Sequence, residues 1–337
     1  MDEQTPGPLL VGLHGAALTG AERRLLQHPL VGGVVLFARN VDTPAQLRTL
    51  TGEIHELRWP PLLITVDQEG GRVQRCLDGF TRLPPARVYG RRYDSCRKTG
   101  LASARAGGLV MATELRRVGI DLSFAPVLDL DLGLSGVIGD RAFHEDPAVV
   151  TVLAGAWIEG MRAAGMPATG KHFPGHGGVM LDSHLDLPVD QRPLSELEQR
   201  DMLPYTRLID QGALDAVMTA HVVLPAMDRL PASLSPVWVR GVLRRQLGFR
   251  GVVVADDLGM EGAAMAGGPG QRARAALAAG ADLVMLCNEL DAIPEVLSGI
   301  ADADEPEAAQ RRLLLQQSIG APPPADLEAE ARAVLRN

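Results

Sequence analysis

A short polar stretch, residues 171–188, concentrates side chains that could carry out chemistry. Its sequence is KHFPGHGGVMLDSHLDLP, and it holds three of the chain's eight histidines together with a lysine and two aspartates. Three glycines and two prolines interrupt it, and such residues break helices and strands, so the stretch predicts a loop rather than part of the core. Imidazole rings beside carboxylates on a loop can transfer protons or bind a metal ion.

Asp182 and His184 are separated by one residue in this stretch. In a turning loop the two side chains can meet, and a carboxylate bound to an imidazole fixes its tautomer and raises its basicity, as a proton shuttle near neutral pH requires. An isolated pair of this kind more often caps a turn and leaves the histidine in solvent. The neighbouring Gly175, Gly177 and Gly178 favour the functional interpretation, because they predict a mobile loop that brings the pair to a ligand.

Two further polar groups are typical of sugar recognition. Lys171 and His172 follow an apolar run and could donate hydrogen bonds to hydroxyl oxygens, although a structural histidine and a surface lysine are the ordinary alternative. The segment VDQEGGRVQR offers Asp67 and Arg75, and a carboxylate can accept bonds from two vicinal hydroxyls. The alternative is a surface ion pair worth less than about 1 kcal/mol. Arg141, in IGDRAFHEDP, is indicated only by its position in a loop.

Asp256 and Asp257 come directly after the apolar run GVVVA. A carboxylate at this position either caps the following helix or reacts with a ligand at the end of the strand. With two adjacent acids, we expect one to cap and the other to point inward. We assign the inward role to Asp256, because the residue on the strand end should line the site.

Eight short apolar runs alternate with helical patterns along the chain. Several are nearly continuous in apolar character, as strands buried on both faces should be. The runs are 8–14, 32–38, 60–67, 121–129, 168–173, 216–222, 251–256 and 281–287, and the helical patterns are 43–57, 99–118, 147–164, 195–211 and 235–248. This alternation predicts an α/β fold, a (β/α)8 TIM barrel. A doubly wound open sheet is the alternative, but no GxGxxG motif follows an early strand.

Helix boundaries and the tail follow from local signals. Asp146 and Pro147 predict a capped helix start, and Ser195 with Glu198 forms a candidate capping box before a kink at Pro204. No internal boundary divides the chain, so residues 1–337 are expected to form one catalytic domain. Residues 302–337 are expected to form a polar loop and a closing helix.

Composition excludes several classes of protein. The chain has 337 residues, 46% of them hydrophobic and 22% charged, and its net charge of −8 argues against nucleic-acid binding. The first residues lack the basic region of a signal peptide, and no apolar run approaches the roughly 18 residues of a membrane span. The three cysteines are far apart, as is typical of a reducing compartment. We therefore expect a cytoplasmic monomer that does not associate with membranes.

Two chemistries remain open on the residues alone. Histidines 172, 176, 184 and 221 with Asp256 could bind zinc, as in metal-dependent barrel hydrolases of the amidohydrolase type. However, no strand ends in H-x-H and no H-E-x-x-H occurs. The alternative is covalent sugar chemistry, in which a carboxylate attacks the anomeric carbon and a second group protonates the leaving oxygen. That second group is normally a carboxylic acid, so His184 would be a departure.

The motifs together resemble glycoside hydrolase family 3. Within that family they resemble the single-domain bacterial β-N-acetylhexosaminidases that recycle peptidoglycan. The resemblance runs from about residue 8 to 290 and is weak in the last forty residues. It is carried by KHFPGHGGVMLDSHLDLP, VDQEGGRVQR, SFAPVLDL, IGDRAFHEDP and VVVADDLGMEGA.

This resemblance implies a role for each matching position. Asp256 corresponds to the nucleophile that forms the glycosyl-enzyme intermediate, His184 to the general acid/base, and Asp182 to the acid that orients that histidine. The positions that bind the N-acetylglucosamine unit correspond to Asp67, Arg75, Arg141, Lys171 and His172.

The resemblance also implies the reaction. A retaining exo-enzyme of this kind removes terminal β-1,4-linked N-acetylglucosamine from fragments that end in anhydro-N-acetylmuramic acid, with or without a peptide. It implies no cofactor and no metal ion. His176 and His221 receive no role from the sequence.

Overall fold

The computed structural model describes residues 5–179, 187–321 and 325–336. A parallel strand lies in each of the eight predicted apolar runs. Parallel strands that are buried on both faces carry apolar side chains on both. These runs therefore lack the alternation of apolar and polar residues that is typical of strands with one exposed face. The eight strands are Leu9–Gly12, Val31–Leu36, Leu63–Val66, Leu122–Ser123, Thr169–Phe173, Ala216–Thr219, Val252–Asp257 and Leu283–Leu286.

The sheet closes on itself into a barrel. Seven neighbouring pairs of strands are parallel, and the gap between the fourth and fifth strands is bridged by residues just beyond Leu122–Ser123. The backbone N–H of Leu128 donates to the carbonyl of Lys171 at 2.6 Å, and that of Thr169 donates to Ala125 at 2.8 Å. The predicted TIM barrel is therefore confirmed, and the open doubly wound sheet is wrong because no edge strand remains at this junction.

The fourth strand is shorter than predicted. The run 121–129 was expected to be one strand, but only Leu122–Ser123 pairs regularly. Pro126 follows, and proline has no N–H to give to the ladder. The chain therefore continues along the barrel wall through single contacts, such as the bridge between Val127 and Lys171.

Side chains of the strands divide between two apolar regions. Those that point into the barrel, such as Leu10, Val35 and Met285, pack against one another inside it. Their neighbours along the chain, such as Leu9 and Val34, pack outward against the helices. This alternation fills the barrel with side chains, so a ligand can enter only at the ends of the strands.

The helices surround the barrel. The α-helices are Gly20–Leu26, Pro44–Glu56, Ala86–Ser95, Arg97–Arg117, Pro147–Ala163, Leu194–Gln199, Leu203–Asp210, Pro269–Ala279, Ile293–Gly299, Pro306–Gln317 and Ala325–Arg336, with a π-helix at Val237–Gln246. Short 3-10 helices occupy Ala38–Asn40, Gly139–Arg141, Ala232–Leu234, Glu261–Ala266 and Leu290–Ala292. In the part of the chain that the structure describes, no helix is long and apolar enough to cross a membrane.

Local signals predicted some helix boundaries and missed others. Asp146 caps the helix Pro147–Ala163 as predicted, because its carboxylate accepts from the N–H of Ala148 at 2.8 Å. The single kinked helix predicted at 195–211 is wrong, and so is its capping box. The chain instead forms Leu194–Gln199 and Leu203–Asp210, the first preceded by Pro193 without a side-chain cap.

Pro204 explains this break. It lies in the first turn of the second helix, where the missing N–H costs nothing, and its ring prevents the preceding turn from continuing. In the tail, the segment predicted as a polar loop contains the helix Pro306–Gln317, and Ala325–Arg336 forms the last helix.

Two outer helices, Arg97–Arg117 and Pro147–Ala163, pack closely through glycines. A Cβ atom at Gly160 would lie 2.1 Å from the carbonyl oxygen of Arg105, whereas one at Gly155 on the same helix would meet only a leucine methyl group at 3.7 Å. We expect Gly160→Ala to lower the free energy of unfolding by about 1–3 kcal/mol through overpacking.

The matched variant Gly155→Ala should raise the free energy of unfolding by about 0.5–1 kcal/mol, because alanine loses less backbone entropy in a helix. Urea denaturation of both variants measures the difference. Equal effects of the two substitutions would contradict this account of the helix contact.

Candidate active site

A cavity of about 390 Å³ opens at the carboxyl ends of the strands. Of the eight residues that the sequence placed in the site, six line it: Asp67, Arg75, Arg141, Lys171, His172 and Asp256. The other two, Asp182 and His184, lie outside the described residues. Apolar side chains such as Phe37, Phe124 and Met218 complete the wall, so the cavity combines charged groups with carbon surfaces.

A small hairpin after the third strand places Asp67 and Arg75. It consists of Gln68–Gly70 and Val73–Gln74, and its turn uses left-handed backbone angles at Gly70 and Gly71, with φ of 103° and 57°. The Gln68 side-chain oxygen accepts from the N–H of Arg75 at 2.9 Å. The guanidinium of Arg75 then lies 3.6 Å from the Asp67 carboxylate. The GG pair in the sequence therefore marks the turn that brings these two side chains together.

Lys171 is buried at the centre of an ionic network. Its ammonium lies 2.7 Å from Asp67 and 2.6 Å from a second carboxylate, Glu69. Glu69 also accepts two bonds of 2.8 Å from the guanidinium of Arg141. This fork geometry fixes both guanidinium and carboxylate in one plane.

Glu69 was not identified from the sequence. It lies two residues after Asp67 in the segment DQEGG, and no local signal marks it, because the two buried cations that it pairs with are distant in the sequence. Burial opposes its ionisation, but the charges of Arg141 and Lys171 outweigh burial and hold the pKa of Glu69 well below its usual range. Burial likewise opposes the charge of Lys171, yet Asp67 and Glu69 raise its pKa. Glu69 and Lys171 are therefore both ionised at neutral pH.

The buried carboxylate of Asp129 binds the ring of His172. The carboxylate of Asp129 is fully buried and lies 2.6 Å from Nδ1 of His172. The same carboxylate accepts from the backbone N–H of His176 at 2.8 Å. Burial opposes the charge of Asp129, but His172 outweighs it and the pKa of Asp129 is lowered. The sequence placed Asp129 at a strand end without assigning it a role.

Asp256 and Asp257 differ in what they contact. Asp257 accepts from the backbone N–H groups of Gly259 and Cys287, both at 3.1 Å. It therefore caps a turn and the end of the neighbouring strand, not the expected helix, since the 3-10 helix Glu261–Ala266 has no side-chain cap. Asp256 accepts a backbone bond of 2.8 Å from Asp257.

The two carboxyl groups also differ in charge. For Asp256, burial opposes ionisation but the interaction with His172 outweighs it, so its pKa is lowered. For Asp257, burial dominates and the pKa is raised. Both acids line the cavity, and the opposite directions of their pKa shifts make Asp256 the stronger acid of the two.

His221 serves the structure of the strand ends. Its Nδ1 lies 2.6 Å from the hydroxyl of Ser233, and its Nε2 lies 3.0 Å from the carbonyl oxygen of Asp257. Because a carbonyl only accepts, Nε2 carries the proton and Nδ1 accepts from the serine. Burial lowers the pKa of His221, which agrees with a neutral ring. Both ring nitrogens are occupied, so His221 cannot also bind a metal ion in this arrangement.

Both described flanks of the 180–186 segment are anchored. On one side, Gly178 lies against the guanidinium of Arg192, which a Cβ at this position would approach to 2.2 Å. On the other, the N–H of Asp190 donates to Val223 at 2.9 Å. Arg192 joins the two sides, because the guanidinium that lies against Gly178 also pairs with Asp190 at 2.7 Å and with Asp201 at 2.8 Å.

A closed barrel with a cavity lined by charged side chains at its strand ends has the form of a barrel enzyme acting on a polar substrate. The comparison with protein families agrees with this class. The profile "Glycosyl hydrolase family 3 N terminal domain" matches residues 10–315. The chain therefore belongs to glycoside hydrolase family 3, and the prediction of a glycoside hydrolase is confirmed.

Relatives within the family are similar over most of their length. The β-hexosaminidase of Alkalilimnicola ehrlichii is 55% identical over 298 residues, which cover 88% of this chain and 85% of that protein. NagZ from Neisseria gonorrhoeae in complex with N-trifluoroacetyl-D-glucosamine superposes with a TM-score of 0.90 at 42% identity, covering 98% and 97% of the two chains. A structure of NagZ from Neisseria gonorrhoeae in complex with zinc ion gives a TM-score of 0.89 at 42% identity, with the same coverage.

The buried ionic network predicts a pH-dependent loss of stability in Glu69→Gln. Removing this carboxylate leaves Lys171 and Arg141 undercompensated, and breaking a buried ion pair costs about 3–5 kcal/mol. Because the folded-state pKa of Glu69 is depressed, its contribution is fully present above the unfolded value of about 4.3 and is lost as pH falls through the folded value. In urea denaturation, the free energy of unfolding of the variant should therefore be lower than that of the wild type at pH 7. The difference should shrink progressively below about pH 4.3.

Asp78→Asn provides the control. Asp78 is 89% exposed in its ion pair with Arg82, so its removal should change the free energy of unfolding by less than about 0.5 kcal/mol at either pH. If Glu69→Gln were as mild as this control at pH 7, the network would not be the stabilising element described above.

Proposed function

We propose that this chain is a retaining exo-β-N-acetylglucosaminidase. It removes terminal β-1,4-linked N-acetylglucosamine through a covalent glycosyl-enzyme intermediate on Asp256. The observation that carries the proposal is the Asp256 carboxylate, which ends a barrel strand, lines the cavity and has a lowered pKa. An ionised, positioned carboxylate is what attack at an anomeric carbon requires.

The charged wall of the cavity supports a sugar substrate. Asp67 can accept bonds from two adjacent hydroxyls, Lys171 can donate to a neighbouring oxygen, and the ring nitrogen that His172 keeps for the cavity can bond to another. Arg141 and Arg75 hold the acids of this wall in place and present further N–H donors. The N-trifluoroacetyl-D-glucosamine bound by the gonococcal NagZ supports an N-acylated glucosamine as the sugar.

The acid/base role is assigned to His184, oriented by Asp182. Family resemblance supports this assignment, and both residues lie between the two anchored flanks described above. Charge offers a physical reason for a histidine here. Once it has given up its proton a histidine is neutral, so it does not place a second anion beside Asp256, whose charge must stay available for attack.

The proposal extends to the natural substrate and to the cellular location of the protein. The resemblance supports fragments in which N-acetylglucosamine is linked to anhydro-N-acetylmuramic acid, with or without a peptide, as produced in peptidoglycan recycling. A cytoplasmic monomer is the form that we propose. The three cysteines, Cys76, Cys96 and Cys287, are all free, which agrees with a reducing compartment.

The metal-dependent alternative has less support. Among residues 5–179, 187–321 and 325–336, no group of three histidine, cysteine or acidic side chains is placed to hold a metal ion. His221 uses both ring nitrogens within the protein, so it has none left for a metal ion. The zinc complex of the gonococcal NagZ makes a chelator test the direct way to separate the two chemistries.

We expect the wild-type protein to release the chromophore from an aryl β-N-acetylglucosaminide at the same rate with and without EDTA. Asp256→Asn should lose at least about four orders of magnitude in kcat, because the nucleophile that splits the reaction into two steps is gone. Asp257→Asn, the adjacent acid that binds backbone, is the matched comparison and should retain more activity. Inactivation by EDTA with recovery on adding zinc would favour the metal-dependent alternative.

A 5-fluoro N-acetylglucosaminyl fluoride, which keeps the acetamido group at C2, should trap the intermediate, because the fluorine destabilises the oxocarbenium-like state through which it breaks down. Peptide mapping of the labelled protein should find the sugar on Asp256. Labelling of Asp257, or turnover without any labelled peptide, would remove Asp256 as the nucleophile.

His184→Phe should lose about 10²–10⁴ in kcat/KM for substrates with poor leaving groups, the usual contribution of general acid catalysis. The basic limb of its pH–rate profile should disappear, because the group that must be protonated has been removed. An activated aryl substrate that needs no proton should be affected much less. A variant that kept the basic limb of the wild type would contradict the assignment.

A further inference from the structure

The contacts of Asp129 assign it a role that the sequence does not indicate. It is fully buried behind the cavity, whereas its partner His172 lines the cavity wall. Asp129 lies outside the set of cavity-lining side chains, so it can act on a substrate only through another residue. It accepts from Nδ1 of His172 at 2.6 Å, from the backbone N–H of His172 at 3.3 Å and from the backbone N–H of His176 at 2.8 Å.

These donors determine which ring nitrogen of His172 carries a proton. An ionised carboxylate can only accept hydrogen bonds, so at 2.6 Å the Nδ1 atom must be the donor. This holds for the neutral and for the protonated ring alike. Nε2 is then the nitrogen left for the cavity, and in the neutral ring it is an acceptor for a substrate hydroxyl.

The same carboxylate also fixes the start of the KHFPGH stretch. It binds the backbone at His172 and at His176, four residues further along. The two imidazole rings pack edge to face with centroids 6.1 Å apart. Asp129 therefore sets both the rotation of the His172 ring and the direction in which the chain leaves the strand.

We propose that Asp129 is a positioning residue for the glycosidase reaction, holding His172 in the tautomer whose Nε2 faces the substrate. This inference rests on the proposed function where enzyme activity is measured. The tautomer of His172 can be measured without any enzyme activity.

The first experiment measures the tautomer in the wild-type protein. Nitrogen-15 labelling of the histidines, with the His172 signals assigned by their absence in His172→Gln, should show a proton on Nδ1 of His172 that exchanges slowly with solvent. In Asp129→Asn the amide can donate to the ring, and the proton should move to Nε2. A wild-type ring protonated only on Nε2 would overturn the proposal, even if the protein hydrolysed its substrate as expected.

The second experiment is a double-mutant cycle on an aryl β-N-acetylglucosaminide. Asp129→Asn should lower kcat/KM by about 10- to 100-fold, the scale typical of residues that orient a ligand-binding histidine. In the His172→Gln background the same change should cost nothing further, because the residue through which Asp129 acts is gone. Equal losses in both backgrounds would show a general structural role and would overturn the proposal.

The chain offers a matched control at the opposite end of the barrel. Asp121 is also buried and its carboxylate lies 2.8 Å from Nε2 of His55. Asp121→Asn should lower Tm yet leave kcat/KM within about 2-fold of the wild type, because this pair precedes the strand and lies away from the cavity. If Asp129→Asn does not fold, the wild-type spectrum alone still decides the tautomer. A wild-type protein without glycosidase activity would reject the proposed function and leave the tautomer to be judged by the spectrum.

Discussion

The burial of the Lys171 ammonium is the constraint on which the active site depends. A buried cation is tolerated only with close carboxylates, and Lys171 requires Asp67 and Glu69 at 2.7 and 2.6 Å. These acids come from the hairpin after the third strand, and Glu69 in turn holds Arg141 from the loop after the fourth. One buried charge thus ties together three strand ends that are far apart in the sequence. The charged wall of the cavity is a consequence of this pairing.

The two adjacent acids at the end of the seventh strand, Asp256 and Asp257, differ in their contacts and in their pKa shifts. Asp257 binds two backbone N–H groups, and its pKa is raised mainly by burial. Asp256 faces His172, and its pKa is lowered. The pKa values of these adjacent acids therefore shift in opposite directions. Asp257 binds two backbone N–H groups, whereas Asp256 binds one, that of Asp257 itself. Differences of this kind commonly mark the reactive member of a pair.

The sequence predicted the parts of the fold that depend on local pattern. All eight strands lie in the apolar runs, and the caps at Asp146 and the stop at Pro204 follow from residue type, although Pro204 starts a new helix rather than kinking one. Six of eight candidate site residues meet at one cavity, because each ends an apolar run or lies in a loop beside one. Glu69 was missed because its importance comes from two cations that lie about 70 and 100 residues away in the sequence, Arg141 and Lys171.

The histidines show why clustering along a sequence is a poor guide to metal binding. A histidine becomes a ligand only if a ring nitrogen is free to face the ion. His221 gives one nitrogen to Ser233 and the other to a backbone carbonyl, and His172 gives one to Asp129. The hydrogen-bond partners of these rings come from other parts of the chain, so the spacing of the histidines in the sequence could not have indicated them. His221 therefore has no ring nitrogen left for an ion, whereas His172 keeps Nε2 for the cavity, and only the three-dimensional contacts separate these two cases.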